Sequence, residues 1–142
     1  MTGAALGALL GLFGASFLAA TVLPVSSELA LAAVLRADVA PVALVLGVAT
    51  LGNTLGSVVN GLIGRGLRHL SDPEAAPGAT HARALRWFAR YGRPTLLLAW
   101  APVVGDAVTV VAGAARVPWG SFVLLVALGK AARYGAVAWL VA

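Results

Sequence analysis

The sequence predicts an all-α integral membrane protein built as an inverted repeat, each repeat a re-entrant helical hairpin followed by a transmembrane helix. Three observations carry that expectation. The 142-residue chain is 61% hydrophobic and only 11% charged, against roughly 25% charged for a soluble domain, and one small core cannot hide so much apolar surface. Its apolar residues fall in four stretches, about 3–23 continuing to 35, then 41–64, 94–115 and 119–142. Two of these stretches are broken by a proline four residues ahead of a carboxylate, in Pro24-Val-Ser-Ser-Glu28 and Pro102-Val-Val-Gly-Asp106.

The first stretch is apolar from Gly3 to Leu23 and has no basic residue ahead of it. A cleaved signal peptide needs that basic region, so the segment reads as part of the mature protein. Proline removes a backbone donor and clashes with the preceding turn. In lipid the freed carbonyls need partners, so such a break survives only inside protein or beside a water-filled cavity. The arm leading to Pro24 is long enough to span alone, and the first hairpin therefore admits two readings, re-entrant or fully spanning.

Val39–Gly64 is long and apolar enough to cross. Gly52, Gly56, Asn60 and Gly64 recur in it at spacing four, with Asn53 and Ser57 alongside. Small residues let helices approach closely, and asparagine can bond across the contact, so Asn53 and Asn60 mark a polar helix face. Gly3, Gly7 and Gly11 predict a similar packing stripe in the first stretch.

Residues 65–93 form a basic loop with six arginines against Asp72 and Glu74, holding about +4 of the chain's net +5. A basic loop between apolar segments is expected on the cytoplasmic side. Ser71-Asp72-Pro73-Glu74 and Ala76-Pro77-Gly78 are turn signals. His81–Tyr91 has Arg83, Arg86 and Arg90 at helical spacing, with Leu85, Trp87, Phe88 and Tyr91 around them. That pattern predicts a short interfacial helix with its aromatics at headgroup depth. It serves either as a solvated connector or as a lipid-phosphate contact.

The second hairpin has arms of about 94–102 and 106–115, broken at Pro102 and Gly105, and each arm is too short to span. Pro118–Ala142 closes the chain with a second spanning helix.

The two broken motifs belong to a longer repeat. Pro24 is followed by Glu28, Arg36, Pro41 and Gly52-Asn53, and Pro102 by Asp106, Arg116, Pro118 and Gly129-Lys130, at an offset of about 78 residues. The repeats are about 3–64 and 94–142, joined by the basic loop within one membrane domain, 1–142. If each repeat crosses once, the two are inverted, with a binding site near the midplane. If both hairpins cross fully, there are four spans and the repeats are parallel.

Charge inside such segments carries the chemistry. A carboxylate in lipid costs on the order of 3 kcal/mol unless it is paired or protonated. Glu28 and Asp106 are therefore candidates for transport and proton coupling, or else caps for broken helix ends. Lys130 and Arg133 sit one turn apart, too deep in the last span to snorkel easily, and are candidates for binding an anionic headgroup. They could equally lock with the acids into an ion-pair cluster. Arg36 and Arg116 mark the hairpin exits, as headgroup contacts or simple interfacial anchors.

Other classes recede. A nucleic-acid face needs a folded basic surface that this loop is too short to supply. Cysteine is absent and both histidines, His69 and His81, lie in the polar stretch, so no metal or cofactor is expected. No His-Glu-x-x-His, nucleophile elbow or phosphate loop occurs, so no enzyme is expected. Gly105-Asp106 lacks the first glycine of the Gly-x-Gly-Asp motif of intramembrane aspartyl proteases, with Val103 in its place.

Several segments together resemble the DedA family (SNARE-associated, or VTT-domain, proteins), in particular its short YqaA-like branch. They are Pro24-Val-Ser-Ser-Glu28, Gly52-Asn-Thr-Leu-Gly56 with Gly64-Arg65, Arg90-Tyr-Gly92, Trp100-Ala-Pro-Val-Val-Gly-Asp106, Gly113-Ala-Ala-Arg116-Val-Pro-Trp119 and Gly129-Lys-Ala-Ala-Arg133-Tyr134. The resemblance implies two facing re-entrant hairpins in a bacterial inner membrane. It also implies movement of undecaprenyl phosphate or phospholipid across the bilayer, with coupling to the proton gradient. Glu28 resembles the family's membrane-embedded acid, and Arg116 the arginine after its Gly-Ala segment. Typical members carry arginines on both sides of the second-hairpin proline, where this chain has Ala99 and Gly105. Lys130 and Arg133 are then expected to take the cationic role. The expected partners are membrane lipids with an anionic or phosphate-bearing headgroup, and a homodimer is expected because so few helices shield little. A proton-coupled carrier of small ions or solutes, and a structural membrane protein without transport, are the alternatives.

Overall fold

The computed structural model describes residues 2–19, 27–67, 78–100 and 104–141. Every regular element among them is helical: α1 (Gly3–Ala19), α2 (Ser27–Ala37), α3 (Val42–Gly66), α4 (Ala79–Tyr91), a 3-10 helix (Arg93–Trp100), α5 (Val104–Ala114) and α6 (Trp119–Val141). At 1.5 Å per residue α3 and α6 are about 37 and 34 Å long, and both are long and apolar enough to cross a membrane. α2 and α5 have 11 residues each, or about 16 Å. The 3-10 helix has eight, again about 16 Å at its steeper rise. None of these three reaches across a hydrocarbon layer of about 30 Å. Pro24 and Pro102 lie outside the described residues. The chain between α1 and α2, and between the 3-10 helix and α5, is where each of them falls.

The helices gather into two compact units, Met1–Gly56 with Lys130–Ala142, and Ser57–Gly129. Each long helix contributes one half to each unit. The first unit closes around Leu9 and Leu12 of α1, Leu31 of α2, Val45 and Ala49 of α3, and Tyr134 of α6. The second closes around Ala84 and Leu85 of α4, Leu96 and Ala99 of the 3-10 helix, Val108, Val111 and Ala112 of α5, and Phe122 and Val126 of α6.

α3 shows what solvent these helices meet. Asn53, Ser57, Asn60 and Gly64 run along one face and are buried, while Leu44, Leu51, Leu55 and Leu62 on another are exposed. A soluble helix has the opposite arrangement. Apolar side chains outside and polar ones inside suit a helix whose surroundings are hydrocarbon.

Close packing in the second unit rests on glycine. A Cβ on Gly64 would overlap the Val110 carbonyl, and one on Gly113 the Gly61 carbonyl, so α3 and α5 meet backbone to backbone. The predicted stripe in α1 behaves differently: nothing lies within 4 Å of where a Cβ would stand on Gly3, Gly7 or Gly11. Spacing alone does not select a contact face, and α1 instead buries Ala5, Leu9, Leu12 and Ser16.

α4 forms where the arginine spacing predicts a helix. Ala84, Leu85 and Phe88 on its apolar side pack on the protein core. Arg83, Arg86, Arg90 and Tyr91 remain exposed on the rest of the helix. Thr95 donates its hydroxyl to the Trp87 carbonyl at 3.2 Å and fastens α4 to the 3-10 helix. The turn between them passes through Gly92 at φ 67°, with its N–H bonded to the Phe88 carbonyl at 2.7 Å. Glycine adopts that conformation without steric cost.

Gly113→Ala is expected to destabilise the protein by about 1–3 kcal/mol through overpacking. Gly7→Ala is expected to be neutral or to gain up to about 1 kcal/mol in helix propensity. Reversible unfolding in detergent micelles measures both, and equal effects would contradict the close-packed α3–α5 contact.

Candidate functional site

The predicted polar residues divide into buried and exposed sets. In the first unit Asn53 donates from Nδ2 to the Ser16 carbonyl at 2.6 Å and ties α3 to α1. The hydroxyls of Ser16 and Thr54 are buried there without a hydrogen-bond partner. Lys130 is only 3% exposed, and Arg133, one turn on, is half-buried. Tyr134, at i+4 from Lys130, is buried in the core of the same unit. This stretch of α6 thus turns Lys130 and Tyr134 inward with Arg133 at their margin.

In the second unit Asn60 donates from Nδ2 to the Thr109 hydroxyl at 3.3 Å. Thr109 donates in turn to the backbone carbonyl of Asp106 at 2.7 Å. Asp106 lies half-buried in the first turn of α5, where the helix dipole favours a negative charge. Glu28 occupies the corresponding place in the first turn of α2, and its side chain lies outside the described residues. Ser57, also on the buried face of α3, has an unpartnered buried hydroxyl.

Arg36 and Arg116 are both exposed. Arg36 is in the last turn of α2. Arg116 ends α5 in the left-handed region, at φ 60°. Its N–H bonds the Gly113 carbonyl at 3.0 Å and the Val117 N–H bonds the Ala112 carbonyl at 3.1 Å, which is the Schellman pattern. Glycine normally holds that place, and a side chain there costs roughly 1–2 kcal/mol. Asp38, after α2, is also left-handed at φ 52°, and its N–H bonds the Leu35 carbonyl at 3.2 Å.

The two places where the resemblance expects arginines, Ala99 and Gly105, face each other. A Cβ on Gly105 would overlap the Ala99 carbonyl, and Ala99 is buried. The 3-10 helix and α5 therefore close on each other where a typical member would hold cationic side chains. No arginine fits at residue 105 without opening this contact.

Sequence reasoning did not single out Ser16, Thr54 or Thr109. Thr109 stands three residues after Asp106, a spacing that places two residues on one helix face and could have flagged it. Ser16 sits alone in an apolar run and carried no such signal.

A double-mutant cycle on Asn60→Ala and Thr109→Val is expected to give a coupling of about 0.6–1.7 kcal/mol, the range for polar contacts between membrane helices. Unfolding in micelles measures it, and a coupling near zero would remove this link between α3 and α5.

No family model and no solved structure matches the chain. It is 44% identical over 131 residues to inner membrane protein YqaA of Escherichia coli (strain K12), covering 92% of this chain and 88% of the relative. The YqaA protein of Shigella flexneri aligns with the same figures, 44% over 131 residues. An uncharacterized protein of Haemophilus influenzae is 38% identical over 139 residues, covering 91% of this chain and 84% of the relative. Identity at this level across nearly the whole of both chains places this sequence in the family of bacterial inner membrane proteins that includes YqaA.

Proposed function

We propose that this protein moves lipids with a phosphate-bearing headgroup, undecaprenyl phosphate or phospholipid, across the inner membrane. The observation that supports this most is Lys130, 3% exposed within an apolar helix. A buried ammonium is expensive and is a functional site by default in a membrane segment. The polar face of α3, with Asn53, Ser57 and Asn60 turned inward, extends the same theme. The resemblance to the DedA family supplies the lipid class.

In this reading the short helices belong to re-entrant hairpins, and the halves of the chain are inverted because each crosses the membrane once. The matching spacing of Pro24–Glu28 and Pro102–Asp106 and the matching left-handed turns at Asp38 and Arg116 support a duplicated unit. A polar path lets the headgroup cross while its tails stay in the bilayer. Glu28 and Asp106 supply charge that responds to protons. Lys130 and Arg133 attract the phosphate through charge-assisted hydrogen bonds, and Arg36 and Arg116 receive it at the exposed turns.

The test uses proteoliposomes and a fluorescent phosphate-bearing lipid. Glu28→Gln and Lys130→Gln are each expected to slow transbilayer movement by roughly tenfold or more, and Arg83→Gln on the exposed face of α4 to leave it unchanged. Unaltered rates in both of the first two variants would overturn the reading. Uptake of a soluble ion or solute without lipid movement would replace it with a carrier.

A further inference from the structure

The described residues of the second unit carry a strong charge asymmetry. They include Arg65, Arg83, Arg86, Arg90, Arg93 and Arg116, against a single acid, Asp106. Two of these arginines converge on one short segment. Arg65, near the end of α3, donates from Nη2 to the Val117 carbonyl at 3.2 Å. Arg93, at the start of the 3-10 helix, donates from Nη1 to the Ser121 hydroxyl at 3.3 Å. Val117 and Ser121 stand two residues before and two after Trp119, the first residue of α6. The Arg65 guanidinium also lies over the Trp119 ring, 4.5 Å from its centroid.

Neither arginine is paired with a carboxylate among the described residues. Each guanidinium has five N–H donors and uses one of them on this segment. The Arg65 Nε is buried without a hydrogen-bond partner. Gly120, next to Trp119, is exposed, with nothing within 4 Å of where its Cβ would stand. The segment thus offers two cations held at Val117 and Ser121, an aromatic ring, and an open side at Gly120. It stands at the head of a helix long enough to cross the membrane, where tryptophan marks the headgroup layer.

We propose that Arg65, Arg93 and Trp119 form a docking site for the phosphate of an anionic membrane lipid at the end of the protein nearest the basic loop. The guanidiniums hold the phosphate oxygens, the open side at Gly120 admits the headgroup, and Trp119 lies along the glycerol and upper acyl chain. The site depends on residence in the membrane and not on translocation. It uses none of the residues proposed for translocation, so either proposal can fail while the other stands.

Native mass spectrometry of the full chain tests it, comparing retained phosphatidylglycerol with phosphatidylcholine of the same acyl chains. Each arginine near an anionic lipid surface contributes about a fivefold factor in affinity. R93Q is therefore expected to lower the preference for phosphatidylglycerol about fivefold, and R65Q/R93Q on the order of twentyfold. R83Q/R86Q removes the same charge from the exposed face of α4 and is expected to lower the preference much less than R65Q/R93Q does. Millimolar inorganic phosphate at matched ionic strength is expected not to displace the lipid. The proposal is overturned if R65Q/R93Q keeps the preference, if R83Q/R86Q loses it equally, or if free phosphate competes as well as the lipid. Should R65Q/R93Q fail to fold, R93Q alone decides, because Arg93 is exposed and holds only the Ser121 contact.

Discussion

Hydrogen-bonding groups shut away from water must be satisfied by the protein itself, and that constraint organises this small chain. α3 bears it most visibly. Its asparagines reach into neighbouring helices, Asn53 to the Ser16 carbonyl and Asn60 to Thr109, while its leucines face outward. Hydrocarbon offers no hydrophobic drive for helices to associate, so the polar contacts and tight packing hold them together. The buried hydroxyls of Ser16, Thr54 and Ser57 have no hydrogen-bond partner. A polar group left so costs on the order of 1–3 kcal/mol, so the interior is not arranged for stability alone.

The same constraint explains the short elements. A helix that ends inside a membrane protein leaves carbonyls exposed, and both short helices close theirs with a left-handed residue. Asp tolerates that conformation, since its side chain can bond locally. Arg116 does not share this advantage, and it completes a Schellman turn where glycine would cost less. The chain therefore keeps an arginine at a position its backbone would rather give to glycine. Its exposure suits a role outside the core. At the other end of α5 the packing is opposite in character, with Gly105 drawn so close to Ala99 that no side chain fits.

Charge is sorted by depth. Lys130 lies inside, Arg133 at the margin, and Arg36, Arg93 and Arg116 at the surface. Arg65 occupies an intermediate setting, stacked on Trp119 and bonded to the Val117 carbonyl. Within each unit the basic side chains thus differ in how far they are withdrawn from the surface.

The order and type of the elements were legible in the residues. Proline, long apolar runs and the basic stretch each act locally, so α3, α6, α4, the 3-10 helix and α5 stand close to where their composition puts them. The inward turn of Asn53 and Asn60 followed as well, because polar groups avoid lipid whatever their neighbours. Contacts between distant segments were not legible. Gly3, Gly7 and Gly11 of α1 have the same spacing as the series that holds Gly52 and Gly64 in α3, yet nothing lies close to the first three while Gly52 and Gly64 meet the backbone of another helix. The apolar face of α4 reads the same whether it rests on lipid or on Leu96 and Val108, and the fold chose protein. The sequence by itself determined which segments are helical and which side chains must be sheltered, since both depend on local chemistry and the cost of burying charge. Tertiary structure alone decided which partner shelters each, because that depends on how segments far apart along the chain come together.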